Sequence, residues 1–205
     1  MQPQSYAMSP REPKVIMPRL VLHEDAWNMI QAYVRTNPDT EINGFCYVRY
    51  VAGHNLFFVA SSDDVFITEQ TVSPHSADAS GVGYAKAQYN AVMAGREDEL
   101  RLQWHKHPHD VYCSPTDMRN IENFGLTGEW IISLVVNIQG EMHARFDAFQ
   151  PARFGGEMEV TIHRVIRPDL TDRAAREAAE LVTIKQPPAT VVTRPARRTR
   201  SSPSA

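Results

Sequence analysis

The stretch from Leu100 to Asp117, LRLQWHKHPHDVYCSPTD, limits what this chain can fold into more than any other. Its first part alternates apolar and polar side chains with the period of two of a half-buried strand, read over Leu100–Trp104. Its last part is a helix start. Ser114 is the N-cap, Pro115 takes the first helical position, and Asp117 is the acid three residues after the cap. Strand and helix stand so close together that His105, His107, His109 and Cys113 are confined to the handover between them.

If the chain stays extended through His107, alternation puts His105 and His107 on one face and Lys106 on the other. Two imidazoles so placed can share a metal ion. Asp117 can complete a His-His-Asp set that leaves a fourth position open to water, as in catalytic rather than structural zinc sites. The plainer reading is a solvated loop and a helix cap, and the two roles are compatible because a capped helix start is rigid. His109 follows a proline that turns the chain, and a Cys113 thiolate would close the site. Both are weaker ligand candidates. Such a site also needs a carboxylate to take a proton from water, and Glu41, just before the first expected core strand, is the best placed.

Around this stretch the pattern is that of an α+β domain with a single mixed β-sheet and flanking helices. Residues 1–19 carry four prolines and no periodicity, and read as a flexible lead-in. Ala26, Trp27, Ile30 and Tyr33/Val34 share a helical face, and Asn37-Pro38-Asp39 ends that helix. Gly44–Val51 and Leu56–Ala60 flank Gly53-His54-Asn55 as a hairpin, and Asp64–Thr68 continues the sheet. Helices are expected over Ser76–Met93 and Pro115–Phe124. Strands are expected over Trp130–Asn137, Met142–Phe149 and Glu157–Ile166, with a turn at Gln139-Gly140. The domain thus spans residues 20–168, followed by a helix within 169–184 and a disordered Pro/Arg/Ser tail, 185–205.

Composition excludes several classes. A formal net charge of -3 gives the whole chain no pull toward nucleic acid or an anionic membrane. The longest apolar run, Trp130–Val136, is far short of the roughly 20 residues of a membrane helix. The N-terminus lacks the pattern of a secretory signal, and two cysteines, Cys46 and Cys113, make no disulfide framework. A cytoplasmic protein is expected.

Glu-x-x-Gly before a hairpin, a strand ending His-x-His-Pro, and Ser-x-x-Asp opening a helix together resemble the JAMM (MPN+/JAB) metalloprotease family, in a bacterial or phage-like form. The similarity covers roughly residues 20–166, including the order of elements. It implies the MPN/JAB, cytidine-deaminase-like architecture. It implies Zn2+ on His105, His107 and Asp117, Glu41 as general acid/base, and Ser114 stabilising the oxyanion. Two departures stand out: Lys106 lies between the histidines where Ser or Thr is usual, and six residues separate His107 from Ser114, one fewer than usual.

The function expected from the resemblance is a zinc-dependent hydrolase (metallopeptidase) that cleaves a peptide or isopeptide bond, with a peptide or a ubiquitin-like protein conjugate as its substrate. The alternative is a catalytically inactive JAB/MPN-like binding or assembly scaffold. The Ser- and Asp-rich stretch Thr68–Gly81 is the expected substrate-facing loop. Arg194, Arg197, Arg198 and Arg200 form a basic cluster that reads as a solvated tail, with contact to nucleic acid or an acidic partner as the lesser reading.

Overall fold

The computed structural model describes residues 16–126, 128–164 and 170–185. The expected lead-in, the basic tail cluster, and the end of the Glu157–Ile166 strand lie largely or wholly outside these residues.

The chain enters through strand β1 (Arg19–His23) and turns directly into helix α1 (Glu24–Thr36). His23 caps that helix, its Nδ1 accepting from the Asp25 amide at 3.3 Å, and Glu24 and Asp25 in the first turn oppose the positive end of the helix dipole. Asn37, whose successor is a proline, ends it. Ala26, Met29, Ile30, Tyr33 and Val34 are buried. The ring of Tyr33 stacks at 5.8 Å on Trp104, which is fully buried. Burying side chains of this size contributes roughly 1.5–3 kcal/mol each, so this seam is a main source of stability.

Next come strands β2 (Asn43–Tyr47), β3 (Arg49–Val51), β4 (Leu56–Val59), β5 (Val65–Phe66), β6 (Gln70–Ser73) and β7 (Ser76–Ala79). Helix α2 (Gly81–Met93) leads to strand β8 (Leu100–Lys106) and helix α3 (Pro115–Phe124). Strands β9 (Trp130–Val136), β10 (Met142–Ala148), β11 (Phe154–Met158) and β12 (Val160–His163), helix α4 (Leu170–Leu181) and strand β13 (Val182–Ile184) complete the described chain.

The fold is mixed α and β, as expected, but among the described residues the strands form three sheets rather than one. Six strands pair in the order β11-β10-β9-β8-β2-β5, four in the order β12-β1-β4-β3, and three in the order β13-β6-β7. The reason lies in two short interruptions. Gly44–Val51, expected as one strand, breaks at Val48, where the register has already slipped beside Cys46 and Tyr47. Its first half pairs with β8 in the large sheet, and only its second half forms the hairpin with β4. The expected strand from Glu157 likewise breaks at Glu159, whose carbonyl accepts from Leu20, and the chain passes from β11 to β12 in the second sheet.

Other boundaries also move. Ser76–Met93 is not one helix: Ser76–Ala79 pairs with β6, and Ser80 caps a helix that starts at Gly81. In the 169–184 segment, helix gives way after Leu181 to a strand lying parallel to β6. Within Asp64–Thr68 only Val65–Phe66 is strand, following a capped turn at Ser62–Asp64. Among the described residues, no helix is long and apolar enough to cross a membrane.

Candidate metal centre

Strand β8 lies between β2, antiparallel, and β9, parallel, so its end is fixed from both sides. His105 pairs with Asn43 on one side and Val135 on the other. The His107 amide continues the ladder by donating to the Val136 carbonyl at 2.9 Å. The backbone is therefore extended through both histidines, and their rings fall on the same face with centroids 4.8 Å apart.

Helix α3 brings the third group. Ser114 and Asp117 form a reciprocal capping box: the Ser114 amide donates to Asp117 Oδ2 at 2.7 Å, and the Asp117 amide donates to Ser114 Oγ at 3.2 Å. This locks the Asp117 carboxylate toward the histidines. Its Oδ1 lies 3.3 Å from His105 Nε2 and its Oδ2 3.4 Å from His107 Nε2, while the two Nε2 atoms are 3.1 Å apart.

These separations test whether a metal fits. Zinc bonds of about 2.0–2.1 Å at tetrahedral angles place neighbouring ligand atoms about 3.3 Å from one another. The Nε2–Nε2 distance and the distance from each Nε2 to its own Asp117 oxygen fall close to that value, one oxygen facing each histidine, and the donor set of two imidazoles and a carboxylate suits a divalent transition metal. The His105-His107-Asp117 group can therefore hold a metal ion. His107 is oriented as well: its Nδ1 lies 3.2 Å from the Asp110 carbonyl, which can only accept, so Nδ1 carries a proton and Nε2 is the nitrogen that would face a metal once the proton it shares with Asp117 is displaced.

The six-residue loop between His107 and Ser114 leaves the three groups together. Asn137, fully buried at the end of β9, donates from Nδ2 to the His109 carbonyl at 2.8 Å and tethers the loop to the sheet. The ring of Tyr112 meets His107 edge-on at 5.6 Å. His109 is exposed and Cys113 half-buried, and neither belongs to the convergent group. Burial pushes the Cys113 thiol up to about 11, aided by the Asp117 charge, which disfavours the thiolate a metal would need. Cys46 is wholly buried in the core.

The charges respond to one another. Burial alone would raise the Asp117 pKa, but hydrogen bonds from His105 and His107 outweigh it and hold the carboxyl well below the usual range. The hydrogen bond that His107 donates to the Asp117 carboxylate raises the His107 pKa, against the opposing effect of burial. Glu41 lines the same cleft, its amide donating to the Ser73 carbonyl at 2.9 Å. Burial raises its pKa, partly offset by His107 and His105. A carboxylate shifted upward is a better proton acceptor near neutrality.

The cleft itself measures about 410 Å³. One wall is the tip and edge of the β6–β7 hairpin, including His75 and Asp78; the opposite wall is the His107–Ser114 loop. The stretch expected to face a substrate thus does border the cleft, as a hairpin rather than an irregular loop. Gln103, Ser133 and Asn43 line the cleft beneath the histidines. Gln103 was legible from its place two residues before His105 on one strand. Asn43 and Ser133 depend on strand pairing that no local pattern reveals.

Neither the models of known protein families nor the curated proteins give a match to this chain.

Proposed function

We propose that this chain is a JAMM-type zinc-dependent hydrolase, built on an MPN-like fold, that cleaves a peptide or isopeptide bond. The observation that carries the reading is the approach of His105 Nε2, His107 Nε2 and the Asp117 carboxylate to within 3.1–3.4 Å of one another, in a cleft that Glu41 also lines. A zinc ion held there supplies Lewis acidity and brings the pKa of water toward neutrality. Glu41 takes a proton from the attacking water and returns it to the leaving amine at its own carboxylate. Ser114 Oγ already accepts from the Asp117 amide, so its hydroxyl proton is free to donate to a developing oxyanion. Ser76, Ala77 and Asp78 of β7, an end strand of its sheet, line the cleft, and an extended peptide segment would suit such an edge.

The test begins with metal analysis of the purified full chain beside His105→Ala and Asp117→Ala. Stoichiometric zinc in the parent and its loss in both variants is the expected result. The zinc-loaded chain is then assayed on a peptide library and on lysine-linked isopeptides beside Glu41→Gln. The variant should retain its zinc and lose about 10²- to 10⁴-fold in rate. Absence of bound metal, or equal hydrolysis by Glu41→Gln, overturns the reading. Bound zinc without hydrolysis in either protein favours a binding or assembly scaffold.

A further inference from the structure

Lys106 stands between the two histidines, yet it faces the opposite side of the sheet and is only 1% exposed. A buried ammonium is costly unless it is fully hydrogen-bonded, and this one is. Its Nζ donates to the carbonyls of Asn37 at 2.6 Å, Pro38 at 2.6 Å and Thr40 at 2.9 Å. All three belong to the segment that leaves the C-terminal end of α1, where a cation is also favoured by the helix dipole. The backbone of the same residue adds a fourth bond, its amide donating to the Ile42 carbonyl at 2.8 Å.

Glu41 lies between the last two of these anchors. The carbonyl before it, Thr40, and the carbonyl after it, Ile42, are both held by Lys106, while its own amide is held by Ser73. The residue that spaces the two histidine ligands is therefore the residue that fixes the backbone of the carboxylate opposite them. A serine or threonine at this position is too short to reach three carbonyls on a neighbouring turn.

We propose that Lys106 is a positioning residue, which couples the backbone of Glu41 to the strand carrying His105 and His107 and so sets the carboxylate's distance from the metal. This rests on the metal-centre reading above and adds to it a link between the two halves of the site. Burial also pushes the Lys106 ammonium below its ordinary lysine value, countered by the charges of Asp39 and Glu41, which agrees with a cation sealed beside this segment.

The test uses the full chain loaded with Co2+, comparing the parent with Lys106→Met, which keeps the length of the buried stem and loses the donors, and with Lys106→Gln. Hydrogen–deuterium exchange is followed by peptide, and visible absorption reports the cobalt environment. The expected result is unchanged cobalt content, displaced absorption bands, and about tenfold faster exchange confined to peptides covering residues 37–43, the scale set by losing a net hydrogen bond. Strands β9 and β10 should exchange at the parent rate. Parent-like exchange and parent-like bands in Lys106→Met overturn the proposal while leaving the metal reading intact. Faster exchange across the whole domain, or failure of both variants to fold, also overturns it, because the role would then be general stability. A parent chain that takes up no cobalt removes the metal reading, and this inference falls with it.

Discussion

Ser114 and Asp117 hold each other by two hydrogen bonds across the start of α3, and Asp117 still presents one oxygen to each histidine. Helix cap and candidate metal ligand are thus one constellation, and substitution can separate the two. Ser114→Ala should cost about 1 kcal/mol of stability in the metal-free protein, the usual loss of an N-cap, while zinc stoichiometry is kept. Asp117→Ala should lose zinc as well. Urea denaturation with and without chelator, paired with metal analysis, checks both.

The raised pKa of His107 gives metal binding a direction with pH. In the metal-free protein its proton stays on to higher pH than in an ordinary histidine, because Asp117 accepts from it. The stability from that pair is complete below the unfolded histidine value and is lost as pH rises through the raised one. Metal must displace the proton, so affinity for zinc should fall as pH drops through that same window. Titration calorimetry in buffers of different ionisation enthalpy should show proton release that shrinks at higher pH; release independent of pH would contradict it.

Asn137 is the tether of the short loop. Asn137→Ala frees the His109 carbonyl and with it the segment whose Asp110 carbonyl orients His107. Zinc affinity should weaken by about ten- to a hundredfold, the usual effect of removing a group that supports a ligand, with the fold retained. A competitive chelator titration measures it.

Gly44 marks a close approach. A Cβ there would lie 2.5 Å from the Phe66 carbonyl oxygen and 2.6 Å from the buried Trp104 ring. Gly44→Ala should cost roughly 1–3 kcal/mol by overpacking. Gly53→Ala, whose Cβ meets nothing within 4 Å, is the control and should be nearly neutral. Thermal melts of the two variants, side by side, decide the point.

Much of the site was legible because it is local. Strand alternation put His105 and His107 on one face, and the Ser-Pro-Thr-Asp sequence announced the helix that carries Asp117, which begins and ends where expected. The fold was less so, because the sheet boundaries depend on interruptions at Val48 and Glu159 that leave apolar periodicity intact on either side. The hairpin at Gln70–Ala79 escaped because its Ser and Asp residues have little strand propensity. Its pairing is stabilised from outside, by Gln70, whose side-chain amide bridges the Asn43 amide and carbonyl at 3.0 and 2.9 Å. Lys106 showed itself only as a residue facing away; that it grips the Glu41 segment follows from tertiary structure alone.

Strand β1 has a partner on each side, β4 and β12, and Leu20 faces Phe57 on one and Val160 on the other. During synthesis the first partner emerges early, but the second does not leave the ribosome until almost the whole domain has been made. Until then β1 offers an open edge along buried residues Leu20 and Leu22. The nascent chain thus passes through a long interval in which its oldest strand is half paired, and that interval is where assistance by chaperones, or loss to aggregation, would act.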